Sequence, residues 1–235
     1  MQYRILGSDL QVLEIGLAPE EGVIAEAGSL CWIEDGVNFE AKMGDGSDTH
    51  SGLFSRALST VKRDVTGAGV FLTHFTNQSQ RSAQVALSAP YPGKILAVPM
   101  GELGTNLICQ KGVFLCASDG VHLDLYFNRK IGSGFFSGDG FLLQRLQGRG
   151  TVFIHAGGVL VERELRGECL RVDPGCVAGF TEGLDFDIQP AGNLKTMLFG
   201  GVGLFLATLR GSGKVYLQSL PLSRLADHIM APRSS

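Results

Sequence analysis

The chain has 235 residues, 20 basic against 23 acidic side chains, a formal net charge of −3 and 44% hydrophobic residues. That length can bury a sizeable core, and all-β chains of this size often fold as one unit. The near-balanced charge excludes a general attraction to nucleic acid or to an anionic membrane and leaves only a local basic patch as a route to either.

The opening MQYRILGSDLQVLEIGL lacks a long apolar run followed by a small-residue cleavage site, so no secretory signal is read and a cytoplasmic location is expected. QYRILG, LQVLEIGL and GVIAEAG are short, alternating or apolar, and bounded by glycine. They predict antiparallel strands.

GSLCWIEDGVNFE at 28–40 follows and introduces a grammar that recurs in GVFLCASDGVHLD at 112–124 and GCVAGFTEGLDFD at 175–187. Each copy has a glycine, a mostly apolar run, an acid, a second glycine eight positions after the first, and then alternation of apolar and polar residues. Alternation with period two is the signature of a half-buried strand. Gly36, Gly120 and Gly183 are expected at equivalent turns.

The stretch SGLFSRALSTVKRDV at 51–65 puts Leu53, Phe54, Ala57, Leu58, Val61 and Val65 on one helical face, with Ser51 as cap. It predicts a helix inserted into the first copy, with Arg56, Lys62 and Arg63 as a candidate interaction surface. Strands are expected again in GAGVFLTHFT, SAQVALSA and GKILAVPM.

Copies two and three align without a gap, 112–155 on 175–218, with 11 of 44 pairs identical. The identities include Gly138 with Gly201, Gly140 with Gly203, Gly148 with Gly211 and Gly150 with Gly213. The second pair in each copy lies between apolar runs, FLLQRLQ then TVFIHA, and LFLATLR then KVYLQS. Glycine there supplies the positive φ of a hairpin turn. A phosphate loop needs a helix after it, and here a strand follows. Arg129 and Lys130, in YFNRK, are the other candidate interaction residues. The longest mostly apolar stretch, MLFGGVGLFLATL, has 13 residues, short of the roughly 20 that span a bilayer. PLSRLADHIM predicts a short terminal helix, 221–231.

Chemistry-bearing residues are scattered. The five histidines include no His-x-His pair. His155 reads as a strand residue satisfied by hydrogen bonding. The five cysteines, among them Cys31, Cys116 and Cys176, read as small core hydrophobes, because the spacing of Cys109 to Cys116 and of Cys169 to Cys176 is too long for a structural zinc knuckle. The acid pairs Glu34 with Asp35, Asp119 with Asp124, and Asp185 with Asp187 recur with the copies and so read as turn and wet-face residues. No catalytic set, metal site or cofactor is expected.

GSDLQVLEIGLAPEEGVIAEAGSLCWIEDGV, APYPGKILAVPM, GRGTVFIHAGGVL and GGVGLFLATLRGSGKVYLQSLPLSRLA together resemble the AIM24 family. The resemblance runs over essentially the whole chain, and the family's bacterial members form a large uncharacterised group. It implies a fold similar to the tryptophan RNA-binding attenuation protein (TRAP), with β-sandwich units around an axis, and self-association as a homotrimer or higher ring. For mitochondrial members it implies a role in inner-membrane organisation; no targeting presequence of such members is read here, so that role is not expected to transfer directly.

The expected architecture is mainly β: one domain of three internally repeated antiparallel β-sandwich units in pseudo-threefold, TRAP-like arrangement. The units cover approximately 1–100, 101–165 and 166–220, with one inserted helix and the C-terminal helix. The expected function is a non-enzymatic oligomeric scaffold or binding protein, with peripheral membrane contact or membership of a larger complex left open and protein partners unknown. The alternatives are single-stranded RNA binding, which the acidic charge argues against, and a cupin-like small-ligand or metal-dependent enzyme, which the missing ligand motif argues against.

Overall fold

The computed structural model describes residues 1–43, 71–126, 142–190 and 205–230. The inserted helix at 51–65, Gly138, Gly140, Gly201 and Gly203, and all five candidate interaction residues (Arg56, Lys62, Arg63, Arg129, Lys130) lie outside the described residues.

The fold is mainly β and antiparallel. A first sheet holds β1 (Gln2–Leu6), β2 (Val12–Leu17), β7 (Ala83–Ser88) and β4 (Leu30–Ile33), in that order. A second has β5 (Val37–Met43), β6 (Phe71–Asn77), β3 (Gly22–Glu26), β10 (Phe114–Ser118), β13 (Thr151–Gly157) and β8 (Gly93–Pro99). The third runs β11 (Val121–Tyr126), β12 (Leu143–Gly148), β9 (Leu107–Gln110), β15 (Val177–Thr181), β17 (Phe205–Gln218) and β14 (Leu160–Val172). Strand β16 (Asp185–Pro190) also pairs with β17. Two helices are described: α1 (Met100–Leu103), which takes the Met100 end of the predicted GKILAVPM strand, and α2 (Leu222–Met230), near the C-terminus as predicted. Neither is long and apolar enough to cross a membrane.

Period-two patterning decides how the sheets stack. In β2 the alternate residues Leu13, Ile15 and Leu17 are fully buried, and they face a core shared with Val23, Ala25, Phe75, Val85 and Phe153. The second sheet is covered on both faces. Val23 and Ala25 enter that first core, while Ile24 between them enters another with Leu72, Val98, Val152 and Ile154. Strand β9 repeats this: Leu107 and Cys109 join the second core, and Ile108 points into a third with Phe180, Phe186 and Val215. Each fully buried Leu, Ile or Phe contributes about 1.5–3 kcal/mol, and strands buried on both faces read as continuous apolar runs rather than alternating ones.

The same hydrogen-bond pattern occurs in three segments. Strands β4, β10 and β15 pair with β7, β13 and the second half of β17, and each pairing carries a β-bulge at the corresponding place: between Leu30 and Trp32, Phe114 and Cys116, and Val177 and Gly179. Strands β5, β11 and β16 pair with β6, β12 and the first half of β17 in one common register, seen in Asn38↔Thr76, His122↔Gln147 and Asp185↔Arg210. Bulges re-aim a strand and increase its twist, so three bulges at matching places bend the three segments alike.

The turns between these strands use glycine for its positive φ. Gly36, Gly120 and Gly183 have φ of 94°, 86° and 113°, and Gly148 and Gly211 have 106° and 118°. A Cβ on Gly148 would stand 2.2 Å from the Gly120 carbonyl oxygen, and one on Gly120 2.6 Å from the Arg149 carbonyl oxygen, so Gly148 and Gly120 exclude side chains by contact as well as by dihedral. Gly150 and Gly213, at 149° and 157°, occupy one further pair of corresponding places.

Two expectations need correction. Cys31 is exposed rather than core, because β4 is the last strand of its sheet; Cys169 is exposed as well, and Cys176 is half-buried. Only Cys109 and Cys116 are buried. His155 is buried, but its Nδ1 has no hydrogen-bond partner. Its ring packs edge-on against Tyr91 with centroids 4.7 Å apart, so the position is held by packing.

Candidate functional site

The chain's distinctive geometry lies where one segment's sheet is joined to the next. Strand β3 adds to β10 with Cys116↔Ala25, Ala117↔Ile24 and Ser118↔Val23. Strand β9 adds to β15 with Gly179↔Cys109, Phe180↔Ile108 and Thr181↔Leu107. The two seams share one register: Ala25 and Cys109 are 84 residues apart, and Cys116 and Gly179 are 63 apart, the spacings of the sequence copies themselves.

Turn acids clamp both seams. The Gly22 N–H donates to Asp119 Oδ2 at 3.2 Å. At the corresponding place in the second seam, Asn106 Nδ2 donates to Glu182 Oε2 at 2.6 Å, and Glu182 also binds the Arg145 guanidinium at 2.6 Å. The sequence reading took Asp119 for a turn former and did not single out Glu182; both acids also reach across to the preceding segment. A second recurring contact was missed altogether. The Gln84, Thr151 and Lys214 N–H groups donate to the side-chain oxygens of Glu34, Ser118 and Thr181 at 2.8, 2.9 and 3.0 Å. A carboxylate and two hydroxyls thus perform one task, which an identity-based comparison of the copies does not reveal.

Both seams are dry. Phe114, Cys116, Val177 and Phe180 are 2% exposed or less, as are Leu107, Ile108 and Cys109. The positions corresponding to these in β4 and in the second half of β14 are open. Leu30 is 39% and Trp32 43% exposed, against 2% and 0% for Phe114 and Cys116. On β14, Arg171 is exposed and Leu170 and Val172 are half-buried. β4 and β14 are terminal strands of different sheets and do not pair with each other.

Little in the described residues suggests reaction chemistry. The thiols of Cys109 and Cys116 are pushed up by burial, Cys109 further by the Glu26 carboxylate, so neither is a thiolate nucleophile. Burial raises Glu26 itself, opposed by Lys111. Beside Cys109 in the register, the Gln144 amide is buried with both of its polar atoms unpartnered. The acids at recurring columns stay on wet faces: Glu40 pairs with Lys42 at 3.0 Å, and Asp187 accepts from Gln189 at 2.8 Å. No group of three or more His, Cys, Asp or Glu among the described residues is arranged to hold a metal ion.

Stacked antiparallel sheets joined edge to edge define a mainly-β, sandwich-like protein. A solved relative has the same fold: the crystal structure of protein SPYM3_0169 from Streptococcus pyogenes superposes with a TM-score of 0.73 at 23% identity, covering 97% of each chain. The family model described as "Mitochondrial biogenesis AIM24" matches residues 3–220. The chain belongs to the AIM24 family. An uncharacterized protein of Streptococcus pyogenes serotype M6 is 28% identical over 216 residues, covering 92% of this chain and 84% of that protein.

Proposed function

We propose that the protein is a non-enzymatic, cytoplasmic oligomeric scaffold or binding protein, built of three TRAP-like units joined edge to edge. The observation that carries this reading is the repeated seam. The chain extends itself by adding a strand of one unit to the next unit in a fixed register, and it leaves one strand of each kind, β4 and the second half of β14, as the terminal strand of its sheet. Exposed strand edges template further pairing unless they are blocked, and head-to-tail contacts of this kind build rings or filaments.

The recurring residues support a structural role. Turn glycines, seam acids and hydroxyl acceptors all serve pairing, and their chemistry is spread over three segments rather than focused on one cleft. Helix α2 offers a separate contact for a larger complex, with Leu222, Ile229 and Met230 at 48%, 73% and 81% exposure. It is tied to the body by Arg224, which binds Asp173 at 3.2 Å.

Native mass spectrometry of the full chain tests the reading. A defined multiple of the 25.0 kDa chain, carrying no stoichiometric metal or nucleotide, is the expected result. A 25.0 kDa monomer with a bound small molecule would replace the scaffold by a ligand-dependent function.

A further inference from the structure

From the two internal seams we infer a third, between two copies of the chain, in which the second half of β14 of one copy adds to β4 of the next. The inference rests on the scaffold reading and specifies its interface. Carrying the 84- and 63-residue spacings forward from the observed registers gives the new pairing residue by residue. Cys116↔Ala25 and Gly179↔Cys109 become Trp32↔Val172; Ala117↔Ile24 and Phe180↔Ile108 become Ile33↔Arg171; Ser118↔Val23 and Thr181↔Leu107 become Glu34↔Leu170.

Four observations converge on a second copy as the occupant. The first is continuity: β14 already pairs with β17, through Val172↔Ala207, Arg171↔Thr208 and Leu170↔Leu209, as β9 pairs with β12 through Cys109↔Gln144, Ile108↔Arg145 and Leu107↔Leu146. Among the described residues no strand pairs with its other side, which is the side that β9 gives to β15. The second is burial. The seam positions of β10 and β15 are dry, whereas Leu30 and Trp32 on β4 are 39% and 43% exposed. The third is side-chain fit. Trp32 opposite Val172 is an aromatic and β-branched pair, a combination that stabilises cross-strand contacts. The fourth is the clamp: Asp35 stands where Asp119 and Glu182 stand, and the residue it would hold, corresponding to Gly22 and Asn106, is Cys169.

Because the contact joins unlike edges, it is head to tail. Each copy gives β14 to one neighbour and receives β14 from another, so the assembly closes as a ring if the rotation per copy closes and otherwise continues as a filament.

Cysteine cross-linking in the full chain tests the register. In a background with the exposed thiols removed (Cys31→Ser, Cys169→Ser), one population carries Ile33→Cys and a second, mass-tagged, carries Arg171→Cys. Directly opposed strand residues lie within disulfide reach, so the oxidised mixture should give covalent tagged–untagged dimers at least about tenfold above either population alone. Val159→Cys, at an exposed position away from the seam, should give none with Arg171→Cys. Trp32→Asp should shift the native mass toward the single chain while the circular dichroism spectrum of the β fold is kept.

An oligomer that persists without the mixed cross-link overturns this interface and leaves the scaffold reading standing. A 25.0 kDa chain in which Ile33→Cys with Arg171→Cys closes a disulfide internally overturns the second copy as occupant, because the two edges then meet within one molecule. A monomer with neither cross-link overturns both the interface and the oligomeric scaffold.

Discussion

The Gly22 N–H donates to a carboxylate oxygen of Asp119, 97 residues away along the chain, at 3.2 Å. This bond fastens the strand that begins at Gly22 to the turn of the next segment, and the Asn106–Glu182 contact at 2.6 Å repeats it one segment later. Asp119 and Glu182 are acids that precede the recurring turn glycines, so a feature visible as a sequence repeat proves to be a fastening between neighbouring sheets.

Replacing Glu182 by Ala should loosen the second seam. It removes the acceptor of Asn106 and the ion-pair partner of Arg145. Because both bonds are part-exposed, a loss of about 1–2 kcal/mol in urea unfolding is expected. Gln at this position should recover part of the loss, since its amide oxygen can still accept from Asn106.

Thr181→Val should cost about 1 kcal/mol, read as a lower urea midpoint with an unchanged slope. Its hydroxyl accepts the Lys214 N–H at 3.0 Å, whereas Val keeps the shape and leaves that N–H without its acceptor. Thr181→Ser, which restores the oxygen found at Ser118, should stay close to the parent protein.

Gly148→Ala should be among the most damaging single changes. The backbone φ of 106° and a Cβ 2.2 Å from the Gly120 carbonyl oxygen combine strain with a clash between main chains. Strain of this kind alone costs about 1–3 kcal/mol, and the clash adds to it. Thermal unfolding should show a fall larger than that for Gly112→Ala, where φ is 83° and nothing stands within 4 Å of an added Cβ.

Acid should destabilise the protein through His155. Burial lowers its pKa from 6.5 to about 4. Between these values the unfolded chain binds a proton that the folded chain refuses, so stability is complete above about pH 6.5 and falls as pH drops toward 4. The full linkage amounts to about 3 kcal/mol. His155→Gln, which places there the residue type that Gln218 supplies in the third segment, should flatten the dependence of the urea midpoint on pH in this window.

The sequence makes much of this fold legible where backbone geometry forces the residue choice. Gly36, Gly120 and Gly183 need positive φ, and the alternation of Leu13, Ile15 and Leu17 reports a one-sided strand. It is silent where several residue types can do the same work. Glu34, Ser118 and Thr181 accept the corresponding strand N–H groups of Gln84, Thr151 and Lys214, and the three bulges carry Cys31, Leu115 and Ala178, which share no side-chain signature. Cys31 beside Trp32 misled for a related reason. The apolar run fits a buried seam, as its counterparts β10 and β15 do, but β4 is a terminal strand in the single chain, and a sequence does not say which copy of a repeated strand is left at the end.

The most direct test of strand-edge assembly is hydrogen–deuterium exchange of the full chain over a range of protein concentrations. The account predicts that Leu30–Ile33 and Cys169–Val172 exchange slowly at high concentration, like β10 and β15, and that both lose protection together on dilution. Fast exchange of these two segments at every concentration, beside protected β10 and β15, would contradict it.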